Sequence, residues 1–308
     1  MQDCSTRDID ELRQEPLTTL MPMALQVKLA NRGTRLSFCG IVNARSGNCS
    51  EDCKFCVQSA HYKTDIPRYP LKGAAEIIAE ARRAEQVGAQ RFSIVTSGRG
   101  LGPAEVEKVA AMVSEITERV GIKMCASLGI LPKESLVRLK EAGLIRYHHN
   151  LETSKEFFSE IVTTHTFAER VATIRAAKEA GLEVCSGGII GMGETEDDRI
   201  SMAVSLRECE VDSVPINVLM PLAGTPMADR PALPIRDVLR TIALYRLILP
   251  RVAIRLAAGR ETALKDFLGM ALMAGADSMM IGGYLTQRGR PPAEDLQLAR
   301  EMQDLWAE

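Results

Sequence analysis

Eight short, strand-like apolar runs alternate with amphipathic helical stretches along this chain, and no other feature restricts its fold as tightly. They lie at residues 35–42, 90–97, 122–128, 144–150, 182–190, 212–219, 251–258 and 277–283. That order suits repeated βα units on a parallel sheet, and eight such units close a barrel. The punctuation agrees. Pro132 opens a helix that Gly143 closes, and Thr166 with Glu169 forms a capping box before a helix that Gly181 ends. With no low-complexity segment or long linker, the 308 residues read as one α/β domain. It is a (βα)8 TIM-type barrel over 1–308 with a helical N-terminal extension over residues 1–30.

A formal net charge of -2 with 25% charged residues gives no basic excess for a nucleic acid or an anionic membrane. A small-molecule partner fits better. The N-terminal stretch "MQDCSTRDIDELRQEPL" is charged, and no apolar run approaches the roughly 20 residues that span a bilayer, which points to the cytoplasm. In a reducing compartment eight cysteines read as thiols or metal ligands rather than disulfides.

Three of them, Cys49, Cys53 and Cys56, fall in "NCSEDCKFC" as C-x3-C-x2-C, in the loop after the first strand. A barrel of this kind places its chemistry at the C-terminal ends of its strands. Structural zinc usually uses paired C-x2-C elements, and no second pair exists here. An iron-sulfur cube normally takes four thiolates, so three leave one iron open to another ligand.

With an aromatic residue, Phe55, before the last cysteine, the motif resembles the signature of the radical S-adenosylmethionine enzymes. "NCSEDCKFCVQSAHYKT", "HHNLETS", "VCSGGIIGMGET", "SVPINVLMPLAGTPMAD" and "IRLAAGRE" follow the order and spacing of the biotin synthase family, from about residue 20 onward. The resemblance implies a sulfurtransferase that converts dethiobiotin into biotin. A 4Fe-4S cluster would generate a 5'-deoxyadenosyl radical from S-adenosylmethionine, and an auxiliary iron-sulfur cluster would supply the sulfur. It also implies a homodimer and an electron donor such as flavodoxin or ferredoxin.

Residue by residue, the resemblance assigns Asn150 and Glu152 to the ribose hydroxyls, although many relatives carry Asp where Glu152 stands. Arg170 matches the residue that pairs with the methionine carboxylate; by position alone it could equally be an exposed helical arginine. Phe55 and Ile189, the latter within G-x-I-x-G-x-x-E, fall beside the adenosyl group. Those glycines would also serve as plain turn residues. Ser97 and Gly98 lie where backbone groups meet the methionine amine. Asn217, with Asn150, resembles an amide that bonds the ureido ring of dethiobiotin, against the alternative of a core asparagine tied to backbone.

Cys125, Cys185 and Arg255 match three ligands of the family's auxiliary cluster, but Ser93 stands where the best-known members have the remaining cysteine. Cys39, in the neighbouring first strand, could supply a thiolate to a 2Fe-2S cluster or one of other nuclearity. Ordinary burial is the alternative for all three cysteines. Cys4, Cys209, His148, His149 and His165 match no role. Two further readings stay open: a related radical barrel enzyme, of the hydrogenase-maturase or amino-acid type, and a non-enzymatic iron-sulfur or zinc protein.

Overall fold

The computed structural model describes residues 9–283 and 289–307. Cys4 and the first residues of the expected N-terminal extension lie outside them. Helices α1 (Ile9–Gln14) and α2 (Leu17–Arg32) precede the first strand. Strands β1 (Ser37–Arg45), β2 (Arg91–Thr96), β3 (Lys123–Ser127), β4 (Arg146–His148), β5 (Glu183–Cys185), β6 (Gly188–Ile190), β7 (Ser213–Val218), β8 (Ala253–Leu256) and β9 (Ser278–Met280) form one parallel sheet. Its order is β5-β4-β3-β2-β1-β9-β8-β7-β6, and a β5 to β7 pairing closes it. The eighth-strand count holds because β5 and β6 are two halves of the run expected at 182–190.

The break has a steric cause. A Cβ on Gly187 would stand 2.0 Å from the Pro215 carbonyl, and one on Gly188 would stand 2.3 Å from the Glu152 carbonyl. Only bare backbone passes there, and the chain steps sideways between the halves. The first strand also differs from expectation, running on to Arg45, with a register slip between Asn43 and Arg45. Polar residues end a strand on an open sheet, but here Asn43 faces the barrel interior, so "NAR" continues the ladder.

The same alternation explains the core. On β2, Phe92 and Ile94 are buried toward the helices, while Arg91, Ser93 and Val95 face inward. The apolar core therefore lies between sheet and helices, and the barrel interior is lined with Cys, Ser, Arg and Asn. Helices α3 (Ala74–Gln86), α4 (Pro103–Arg119), α5 (Lys133–Glu141), α6 (Phe158–Ile161), α7 (Phe167–Glu179), α8 (Glu196–Glu208), α9 (Ile235–Ile248), α10 (Arg260–Leu264), α11 (Leu268–Met273) and α12 (Pro292–Ala307) complete the shell. The Thr166–Glu169 capping box opens α7 as expected. Gly181 closes it in a Schellman motif, Gly181 N to Lys178 O at 2.9 Å and Leu182 N to Ala177 O at 3.1 Å. α2 packs on α9. Arg240 of α9 donates to the carbonyls of Arg13 and Glu15, both at 2.6 Å, and so caps the end of α1. No described helix is long and apolar enough to cross a membrane.

Candidate active site

A cavity of about 320 Å³ runs from the barrel interior to its C-terminal mouth. Cys49, Cys53, Phe55 and Cys56 line the mouth, on a loop launched from β1. Gly47 and Asn48, at φ 76° and 54°, turn the chain back in the left-handed region. Bonds from Cys49 N to Gln58 O at 3.0 Å and from Ala60 N to Cys49 O at 2.7 Å tie the loop's ends together. Burial pushes the Cys56 thiol up to about 11, against the pull of the Gln58 backbone N–H, and raises Cys53 as well, despite nearby Arg170. Such thiols hold their protons until a metal displaces them. Among the described residues no three His, Cys, Asp or Glu side chains converge closely enough to hold a metal ion. Thiolates on one zinc, with bonds of about 2.3 Å, would have to meet at a point, whereas a cube spreads its ligands across several irons. Three thiolates on one loop would hold three corners of such a cube.

The residues between the first two cysteines are stapled to the segment before α7. Asp52 accepts from Thr163 Oγ1, from Thr163 N at 2.9 Å and from Thr164 N at 3.2 Å, bonds that hold its carboxyl down to about 2 against the effect of burial. Glu51 accepts from Thr164 Oγ1 at 2.8 Å and bonds His165 Nδ1. Arg170 is not the exposed helical arginine that its position allowed. It is buried on the cavity wall, with Nε 3.0 Å from His165 Nε2, Nη1 2.9 Å from Asn150 O, and Glu152 3.6 Å away.

Asn150 and Glu152 reach the same wall from the end of β4. Asn150 Nδ2 donates to Glu152 Oε2 at 3.2 Å, and Asn150 Oδ1 accepts from Gly187 N at 3.2 Å. Glu152 sits at φ 74°, an uncommon conformation for a residue with a side chain and one that gathers at functional sites. Ile189 lies just beyond the cavity wall in a small apolar cluster with Cys53, Phe55, Phe158 and Met192. The glutamate of the glycine motif, Glu194, accepts from the backbone N–H of Gly191, Met192 and Gly193 and from Arg199 Nε, all within 3.1 Å. It shapes the turn. Ser97 and Gly98 are on the wall, but the Ser97 carbonyl already receives Arg45 Nε at 2.9 Å and its N–H bonds Arg45 O at 3.0 Å. Asn217 lines the cavity too, with Nδ2 on Gly188 O at 3.0 Å and Oδ1 on Ala258 N at 3.1 Å. One amide N–H and one oxygen lone pair remain to it.

At the deep end of the cavity the structure brings Cys39, Cys125, Cys185 and Arg255 together. Arg255 Nη1 is 3.4 Å from Cys185 Sγ, and its Nε donates to Ser278 Oγ at 3.1 Å. Burial pushes Cys125 up to about 11, opposed chiefly by Arg146, and raises Cys39, opposed chiefly by Arg255. For Cys185 burial is outweighed by His148 and Arg255, which bring the thiol down to about 5. Ser93 Oγ and Arg91 Nη1, beside them on the wall, are buried with no hydrogen-bond partner. Three cysteines, three arginines and two orphaned polar atoms thus share one place, a set that suits a metal–sulfur group of net negative charge.

Sequence reasoning passed over His148, His165, Glu51 and Arg146. The signal for two of them was present, since Arg146, His148 and Asn150 recur with period two along β4 and just past its end, and Asn150 faces the cavity. Glu51 and His165 meet only through the fold.

Comparison with known proteins agrees with this geometry. Residues 44–206 match the Radical SAM superfamily and residues 215–303 the Biotin and Thiamin Synthesis associated domain. The chain is 52% identical to a biotin synthase of Pelotomaculum thermopropionicum, covering 94% of this chain and 91% of the relative. It is also 52% identical to one of Heliobacterium modesticaldum, covering 92% and 87%. Among solved structures it resembles methylornithine synthase, at TM-score 0.79 and 20% identity over 96% of this chain and 92% of the other. A second likeness is the FeFe-hydrogenase maturase HydG from Carboxydothermus hydrogenoformans, at TM-score 0.79 and 18% identity over 94% and 72%. The structural likenesses speak for the barrel alone; identity over nearly the full length, with both domain matches, makes this chain a member of the biotin synthase family of radical S-adenosylmethionine enzymes.

Proposed function

We propose that this chain converts dethiobiotin into biotin as a single barrel domain, with a 4Fe-4S cluster on Cys49, Cys53 and Cys56 and an auxiliary iron-sulfur cluster at the deep end of the same cavity. The observation that carries the reading is the presence of two separate thiol groups in one 320 Å³ cavity, with cofactor and substrate residues between them. The matches 44–206 and 215–303 meet inside one sheet, where β6 pairs with β7, which supports a single domain. When bound, the cluster and S-adenosylmethionine supply the radical that activates an unreactive C–H bond, chemistry beyond side-chain acids and bases. The protein's part is to bind and orient.

Arg170 presents a guanidinium to the methionine carboxylate, and Glu152 with Asn150 accepts from the ribose hydroxyls. Phe55 and Ile189 would flank the adenosyl group, and Ser97 and Gly98 would edge the amine. The spare amide groups of Asn217 and Asn150 suit a ureido ring, which both donates and accepts. The buried walls exclude water from the reacting centre. At the deep end Cys39, Cys125 and Cys185 would be the thiolate ligands, with Arg255 adjacent, of a cluster of 2Fe-2S or other nuclearity. Cys39 takes the place left by Ser93: on β1 it sits on the inner face two residues before Ile41, the register partner of Ser93. The one-electron demand of the chemistry supports a donor such as flavodoxin or ferredoxin. We place it in the cytoplasm, and a homodimer is the arrangement that the family resemblance favours.

Cys39→Ala tests the ligand set. After anaerobic reconstitution the variant is expected to lose the auxiliary iron and sulfide while keeping the cluster that responds to S-adenosylmethionine. Iron content equal to that of the unaltered protein would remove Cys39 from the ligand set.

A further inference from the structure

Glu51 and His165 carry none of the roles assigned above, yet both are buried on the cavity wall between the cysteine loop and Arg170. Their bonds are directional. Arg170 Nε can only donate, so His165 Nε2, 3.0 Å away, accepts. The ring proton is then on Nδ1, where it is given to Glu51. Glu51 is fixed in turn by Thr164 Oγ1 at 2.8 Å, and its own chain position lies between Cys49 and Cys53. With Nε on His165 and Nη1 on Asn150 O, the plane of the guanidinium is set. Its Nη2 makes no hydrogen bond among the described residues. An edge of Phe158 packs on the imidazole, 5.6 Å between ring centres at 69°, and leaves the ring little room to turn.

We propose that His165, oriented by Glu51, is a positioning residue that sets Arg170 for the carboxylate of S-adenosylmethionine and fixes that clamp in register with the cysteine loop. This rests on the reading of Arg170 given above. The physical reason is that an arginine on a helix has several rotatable bonds, and a fork that must meet a carboxylate in one plane gains from being held before the ligand arrives. The non-ligating residues of the C-x3-C-x2-C insert would thus have a purpose of their own: the glutamate links the place where the cluster sits to the place where the cofactor's carboxylate lands.

The two nitrogens of His165 can be replaced separately. In His165→Gln the amide oxygen can stand near Nε2 and still accept from Arg170. In His165→Asn the amide nitrogen stands near Nδ1, keeps Glu51, and leaves Arg170 without its acceptor. The readout is equilibrium binding of S-adenosylmethionine and of its decarboxylated analogue to the reconstituted protein, with iron content and thermal midpoint measured on each variant. The expected result is a loss of roughly 10- to 100-fold in S-adenosylmethionine affinity for His165→Asn, the range for a lost bond to a charged group. A smaller loss is expected for His165→Gln, with unchanged affinity for the analogue and unchanged iron in both. His165→Asn protein that still prefers S-adenosylmethionine as strongly as the unaltered protein overturns the inference while Arg170→Lys, losing that preference, leaves the clamp reading standing. Equal losses for both ligands, tracking a lower thermal midpoint, overturn it in favour of a plain packing role. Unaltered protein that takes up iron and binds neither ligand overturns the function reading and this inference together.

Discussion

Glu194 shows how a single residue can be noticed for one reason and matter for another. In the sequence it closes a glycine-rich motif associated with the cofactor; in the fold its carboxylate gathers three backbone N–H groups and Arg199. An amide cannot do this, because its NH2 would face donors. Glu194→Gln is therefore expected to lower stability by about 2 kcal/mol, the scale of losing charge-assisted bonds at a buried site, read as a lower urea midpoint of the reduced apo-protein. An unchanged midpoint would mean that the turn holds itself. At this scale the sequence disclosed ligand types and spacing, and the cysteines, Asn150, Glu152 and Arg170 do share one cavity. It could not disclose the Glu51 to His165 link, whose members are 114 residues apart and meet only because the loops after β1 and β4 cross the same barrel mouth.

Among the elements, helix ends were the most legible part because their chemistry is local. Gly143 and Gly181, read from the sequence, close their helices in the left-handed region, and Gly88 and Gly275 are found to do the same. α8 ends in the same pattern of bonds, Glu210 N to Arg207 O at 3.0 Å and Val211 N to Leu206 O at 3.4 Å, but with Glu210 at φ 50°. Glu210→Gly should relieve about 1–2 kcal/mol of left-handed strain and give back part of it as extra freedom in the unfolded chain. The net expectation is a gain of about 0.5 kcal/mol, seen as a higher urea midpoint; a lower one would contradict it. Strand limits were less legible. Asn43 reads as a strand end only if strands are imagined with a polar face toward water, and in this barrel the polar face looks inward. The split between β5 and β6 was hidden because Gly187 and Gly188 interrupt the strand through contacts with Pro215 and Glu152 that lie far along the chain.

In the whole molecule the terminal helices are joined through a buried cationic knot. Lys28 of α2 is fully buried, with Nζ 3.2 Å from the centre of the Trp306 ring on α12. Asp277, which receives Arg32 at 2.5 Å, is the nearby counter-charge; Arg246 gives Nε and Nη1 to backbone carbonyls, with its Nη2 3.4 Å from Asp277. Burial lowers Lys28 to about 8, with Asp277 opposing. Between that value and the ordinary lysine range the unfolded chain holds the proton and the fold does not, so stability rises with pH across that window. Lys28→Met lacks this term. The thermal midpoint of the variant minus that of the unaltered protein is expected to fall as pH climbs from 8 toward 10. A constant difference would contradict the assignment.

The account as a whole depends on an open iron at the cysteine loop serving a substrate held beneath it. Reduced, reconstituted protein should be incubated anaerobically with S-adenosylmethionine and dethiobiotin, and the products measured by mass spectrometry. The account predicts biotin together with 5'-deoxyadenosine. Deoxyadenosine without biotin would assign the radical to another substrate, and iron-loaded protein that yields neither product would contradict the central claim.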